Sequence, residues 1–119
     1  MTNDKDIIPR AQRFFSHTIV TIKKFKHLPF FGHSGVLLDI STQGFKLEFV
    51  AKATSNIGDC YWLTIPLHPL KIKEPANLVV KAQCKWFDPQ RLRMGGVFLE
   101  LNGTDKAAID NIIEKLKST

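Results

Sequence analysis

Asp39-Ile40-Ser41-Thr42-Gln43-Gly44 sets a carboxylate and a hydroxyl two residues apart and closes on a glycine, between the apolar runs 35–40 and 45–49. The short side chains of Asp39 and Ser41 can both turn their oxygens toward one object. Gly44 is expected to take the positive φ that lets the chain reverse without a Cβ clash. The same residues also make a plain Asx turn that binds nothing. Upstream, Pro9-Arg10-Ala11-Gln12-Arg13-Phe14-Phe15 carries two guanidinium groups. These come within reach of the turn if the residues between form one strand pair.

The elements that must position these groups follow from periodicity. The β-branched run Thr18-Ile19-Val20-Thr21-Ile22 reads as a strand, and 35–40 as a second, with the turn between them at 27–32. Phe45-Lys46-Leu47-Glu48-Phe49 alternates strictly, so Phe45, Leu47 and Phe49 are expected to point inward. Asn56-Ile57-Gly58-Asp59 reads as a turn and 61–65 as a strand. Pro66, Pro69 and Pro75 make the stretch that follows irregular or edge structure. Alternation returns over 78–86, with Val80, Ala82, Cys84 and Trp86 on one inward face. Asp88-Pro89-Gln90-Arg91 then joins this strand to 94–101 in a hairpin, where Gly95 and Gly96 are expected to relieve a bend or bulge. Thr104 is expected to cap a terminal helix whose Ile109, Ile112, Ile113 and Leu116 form one apolar stripe, ending at Lys115 and Lys117. About six strands and one helix imply a mainly β, antiparallel architecture. A closed or split barrel leaves no exposed edges, and an open sheet crossed by the helix is the alternative.

Composition bounds the partners. A chain of 119 residues with 44% hydrophobic content is one globular domain that needs no disulfide staples. Residues 1–8 read as a flexible arm and 9–119 as the single domain. The first six residues hold two acids, a lysine and no apolar block, so neither a signal nor a transit peptide is expected, and no run is long enough to span a bilayer. The cytoplasm is the expected compartment, with Cys60 and Cys84 reduced. The net charge of +6 favours an anionic partner, but the lysines are dispersed, with Lys23, Lys24 and Lys26 the tight group. That argues against a DNA or RNA surface. His17, His27, His33 and His68 have neither C-x-x-C partners nor helical H-x-x-x-H spacing, so no metal is expected. No phosphate loop and no nucleophile with a base appear, and the chain is expected not to be an enzyme.

The arrangement resembles the PilZ domain, the bacterial receptor module for cyclic di-GMP. Asp39-Ile40-Ser41-Thr42-Gln43-Gly44 satisfies that family's D/N-x-S-x-x-G motif. Met94-Gly95-Gly96-Val97-Phe98-Leu99-Glu100-Leu101, after a strand ending in Trp86, looks like its late glycine-to-phenylalanine strand. The order of a basic N-terminal loop, strands and an amphipathic helix also agrees, so the resemblance covers residues 9–117. It implies a six-stranded antiparallel barrel with a C-terminal helix. It departs at the family's paired arginines, R-x-x-x-R, because Arg10 and Arg13 are separated by two residues and the register that starts at Arg13 ends on His17.

The implied ligand offers two phosphates and two guanines. An arginine fork can meet a phosphate bidentately, donate to guanine O6 and N7, or stack on a purine. Asp39 suits the guanine N1 and N2 donors, Ser41 a guanine or phosphate oxygen, and Gly44 allows close approach. His17 could replace a stack and part of a charge. The expected ligand-binding set is therefore Arg10, Arg13, His17, Asp39, Ser41 and Gly44, with no other cofactor. Phe14 and Phe15 read as core or lid anchors. The expected function is a cyclic di-GMP receptor or adaptor that passes its signal to an unidentified downstream protein. The alternative is a degenerate domain of the same fold that binds no nucleotide and works by protein contact. An RNA-binding barrel ranks below both.

Overall fold

The computed structural model describes residues 14–24, 26, 32–73 and 76–117. Its elements run β1 (Phe14–Phe15), β2 (Ile19–Lys23), β3 (Gly32–Ile40), β4 (Gly44–Phe49), β5 (Cys60–Pro66), a 3-10 turn (His68–Leu70), β6 (Asn77–Asp88), β7 (Arg93–Leu99) and α1 (Gly103–Lys117). The 1–8 arm, Arg10 and Arg13, most of the 27–32 turn and Pro75 lie outside the described residues. Gly32 belongs to β3 and not to that turn, and Pro66 closes β5.

Six strands close an antiparallel ring in the order β3-β2-β5-β6-β7-β4, with β4 pairing back onto β3. Closure leaves the ring with no free edge. The two-residue β1 extends the line of β2 along the same edge of β3, setting Phe14 opposite Ile40 and Phe15 opposite Asp39. The join is a polar kink. Ser16 donates its N–H to the Leu38 carbonyl (2.9 Å), and Thr18 accepts from Leu37 N–H (2.8 Å). The buried hydroxyls of Ser16 and Thr18 bond each other at 3.0 Å.

The core fills the ring from alternating positions. Phe45, Leu47 and Phe49 of β4 are buried as their period demands, together with Val20, Ile22, Leu37, Leu63, Ile65 and Val80. In β6 the alternation holds through Cys84 and then breaks at a bulge between Cys84 and Trp86, where the partner strand supplies Gly95 and Gly96. The extra residue reverses the faces beyond it. Phe87, opposite the buried Met94, packs on the core, whereas Trp86, opposite Gly95, faces outward; the expectation of an inward Trp86 is corrected. Gly96 also makes room for Phe45. A Cβ there would stand 2.9 Å from the Phe45 ring and 2.6 Å from the Gln83 carbonyl oxygen.

Helix α1 buries Ala108, Ile109, Ile112 and Ile113 and packs on β1, β6 and the 3-10 turn. It starts two residues earlier than a Thr104 cap requires. Asn102 is the cap: its Oδ1 accepts the Asp105 N–H at 2.7 Å, while Asp105 Oδ2 accepts the Asn102 N–H at 3.4 Å. Asparagine followed three residues later by an acid satisfies two orphan amides reciprocally, and Thr104 falls inside the first turn. The helix therefore lies over the mouth of the barrel where β3 turns into β4.

Candidate functional site

Residues 41–43 join β3 to β4, and Ser41 shapes the corner. Its N–H donates to the Gly44 carbonyl at 2.9 Å. Its hydroxyl accepts from the N–H groups of Gln43 (3.2 Å) and Gly44 (3.1 Å) and leans on the Gly44 carbonyl at 3.4 Å. The residue is 0% exposed. Because a hydroxyl makes the reversal, the corner needs no left-handed residue. Among the described glycines positive φ belongs to Gly58 (φ 95), so the expectation of a positive φ at Gly44 is corrected. Gly44 is the first paired residue of β4, buried opposite Val97.

Asp39 follows a bulge in β3, between Leu37 and Asp39, and stands between Phe15 on one side and Lys46 on the other. Directly opposed residues share a face of a sheet, so these three side chains leave the barrel together. The Asp39 carboxylate is 4% exposed and lies 3.5 Å from the Lys46 ammonium, which is 33% exposed. A carboxylate this far from water requires such compensation. Phe15 is the opposite case: at 78% exposure it offers a bare ring beside the ion pair. Of the two roles expected for these phenylalanines, core or lid anchor, Phe14 takes the first, since it packs on the core, and Phe15 does not. Strand pairing decides this, because Phe14 faces inward with Ile40 and Phe15 outward with Asp39.

The structure thus gathers Asp39, Ser41 and Gly44 at one corner and sets the exposed His17 two residues beyond Phe15, at the kink before β2. Two residues of the corner were missed from sequence. Lys46 was legible by counting outward from the turn, since Ile40 opposite Phe45 puts Asp39 opposite Lys46. Phe15 carried no signal, because its face depends on a two-residue strand.

Among the described residues, two clefts are found at the barrel ends. One, of about 270 Å³, lies between the corner and α1 and is lined by Thr42, Gln43, Leu101, Lys106, Ile109 and Asp110. The other, of about 340 Å³, lies at the opposite mouth among Lys23, Lys24, His33, Thr54, Asn56, Asp59 and Tyr61. The second is larger, and three of its lining residues are paired within the fold. Tyr61 shares a 2.8 Å hydrogen bond with Ser55 and donates to Asp59 at 3.3 Å, and Lys24 lies 3.8 Å from Asp59. Burial raises the Tyr61 phenol above its ordinary value, with the Asp59 charge adding to it and the Ser55 hydrogen bond opposing. Burial likewise raises the Cys84 thiol, again against a Ser55 hydrogen bond. Cys60 and Cys84 are free thiols. Among the described residues no group of three or more His, Cys, Asp or Glu could hold a metal, and no helix is long and apolar enough to cross a membrane.

Several solved structures share this backbone. The PilZ domain of YcgR from Escherichia coli, determined with c-di-GMP, matches with a TM-score of 0.68 and 14% identity over 92% of this chain and 92% of that one. The PilZ domain of CeSA from a cellulose-synthesizing bacterium matches at 0.66 and 12% identity over 90% and 99%. The Bacillus subtilis inhibitor of motility, MotI/DgrA, matches at 0.69 and 16% identity over 93% of this chain and 52% of that one, so the present chain spans about half its length. Identities this low speak to fold alone. No curated protein matches by sequence. The family model of the PilZ domain matches residues 9–115, and those residues contain the Asp39–Gly44 corner, the closed ring and nearly all of α1. The chain therefore belongs to the PilZ domain family.

Proposed function

We propose that this domain is a cyclic di-GMP receptor that grips its ligand between the segment carrying Arg10, Arg13 and His17 and the corner formed by Asp39, Ser41 and Gly44. The observation that supports it best is the pairing of Phe14 with Ile40 and Phe15 with Asp39. Arg13 is bonded to Phe14, so the chain bearing the guanidinium groups joins the fold at the corner itself.

The roles divide by chemistry. Arg10 and Arg13 take phosphates or guanine O6 and N7 with their planar forks. The exposed Phe15 ring stacks a guanine, a contact worth about 1–3 kcal/mol per base. Asp39 accepts from guanine N1–H and N2–H, which replace the Lys46 ammonium, and that ammonium turns to a phosphate. Ser41 and Gly44 keep the corner in shape, and His17 lines the rim. Binding then orders the surface around β1, which a downstream protein reads. Calorimetry with the full chain tests this: saturable heat is expected, strongly reduced in Arg13→Ala, and no heat at high nucleotide concentration would count against it.

A second reading has its own support. Arg10 and Arg13 lack the family spacing, and the Ser41 hydroxyl and Asp39 carboxylate already have partners within the fold. In that reading the domain is an adaptor that binds no nucleotide and works by protein contact. Amide spectra unchanged by added nucleotide would favour it.

A further inference from the structure

We infer that the cleft between the corner and α1 is a guanine-base subsite, in which Asp110 accepts from the N1–H and N2–H of the base and Lys106 donates to its O6. The inference rests on the cyclic di-GMP reading. Thr42 and Gln43, exposed in the corner, form one wall of this cleft, and the first half of α1 forms the other. Thr42 and Gln43 belong to the same β3–β4 corner as Asp39, so the cleft opens at that corner. Leu101 and Ile109 give it an apolar floor suited to the face of a base.

Lys106 and Asp110 are one helical turn apart and share a face of α1. Their order, cation before anion, is the weaker one for an ion pair along a helix, and among the described residues no ion pair of either is found. Both exposed charges line the cleft. An anion and a cation side by side repeat in negative the edge of a guanine, where two N–H donors lie next to an oxygen acceptor. A phosphate does not fit that pattern, because the Asp110 carboxylate repels it. Adenine does not fit either, since its amino group would meet the ammonium and its N1 acceptor the carboxylate. A site built to satisfy donors rejects an analogue that lacks them.

The full chain, Asp110→Asn and Lys106→Ala are each titrated with cyclic di-GMP and cyclic di-AMP, and Lys52→Ala, exposed elsewhere, controls for lost charge. The wild type is expected to prefer the guanine ligand. Asp110→Asn should bind it about tenfold more weakly and lose preference by the same factor. Lys106→Ala should also weaken it, while Lys52→Ala binds as wild type. Both cleft side chains are exposed, so unchanged melting temperatures are expected. Wild-type binding with affinity and preference intact in both cleft variants overturns the subsite and leaves the receptor reading standing. Absence of wild-type binding overturns both.

Discussion

At the mouth where β3 turns into β4, a buried hydroxyl holds backbone, Ser41 bonding the amides of Gln43 and Gly44, and one ion pair, Asp39 with Lys46, stands beside it. At the opposite mouth polar side chains hold each other, through Ser55, Tyr61, Asp59 and Lys24, around the larger cleft. The first arrangement leaves an exposed ring at Phe15, two exposed corner residues and the attachment point of the arginine segment. The second leaves a cleft in which Lys24, Asp59 and Tyr61 are already paired, with Lys26 drawn over Trp62 at 4.8 Å. The proposed receptor site therefore lies at the smaller of these two clefts. What distinguishes the two ends is whether the polar groups present a surface or close one.

The comparison breaks most readily on charge. Arg10→Ala with Arg13→Ala is expected to weaken cyclic di-GMP by about a hundredfold or more, two contacts at about 1–3 kcal/mol each. Lys23→Ala with Lys24→Ala removes the same charge from the other mouth and should change affinity by less than about threefold. Equal losses in calorimetry would mean that net charge, and not the corner, attracts the ligand.

Next comes packing beneath the corner. Gly96→Ala forces a Cβ against the Gln83 carbonyl and the Phe45 ring that stacks on Phe98 at 5.6 Å. Because the first obstacle is backbone, a stability loss of about 2 kcal/mol is expected in denaturant unfolding. A loss below about 0.5 kcal/mol would show that β6 yields. Ser41→Ala leaves the Gln43 and Gly44 amides without their hydroxyl and should cost about 1–2 kcal/mol, whereas unchanged stability would assign the hydroxyl to ligand alone.

The smallest effect belongs to the far mouth. The Tyr61 pKa is raised by burial first, so the folded state keeps the phenol proton longer than the unfolded chain does. Its contribution is complete below about pH 10 and is lost as pH rises through the folded value. Tyr61→Phe should therefore flatten the alkaline fall in melting temperature above about pH 10 and leave nucleotide affinity alone. An unchanged alkaline slope would contradict this sign.

The fold was legible wherever one residue type repeated with a strand or helix period. Phe45, Leu47 and Phe49, and Ile109, Ile112 and Ile113, were placed correctly because burial on one face demands that spacing. Trp86 was misplaced because a bulge adds a residue without any local mark except two glycines on the partner strand. Thr104 lost to Asn102 because either side chain can cap, and only the geometry chooses. The corner motif was legible as a sequence, but the work of Ser41 was not: the sequence suggested a glycine-driven reversal, and the structure uses a hydroxyl. Phe15 became exposed through a strand too short for any period to reveal.

The most direct measurement follows backbone amide shifts of the full chain during titration with cyclic di-GMP. Saturable changes are expected at 14–18, 39–46 and 94–98, with residues 54–61 of the far mouth unmoved. Changes centred on Lys23, His33 and Tyr61, or none at saturating nucleotide, would contradict the assignment of the ligand to the corner.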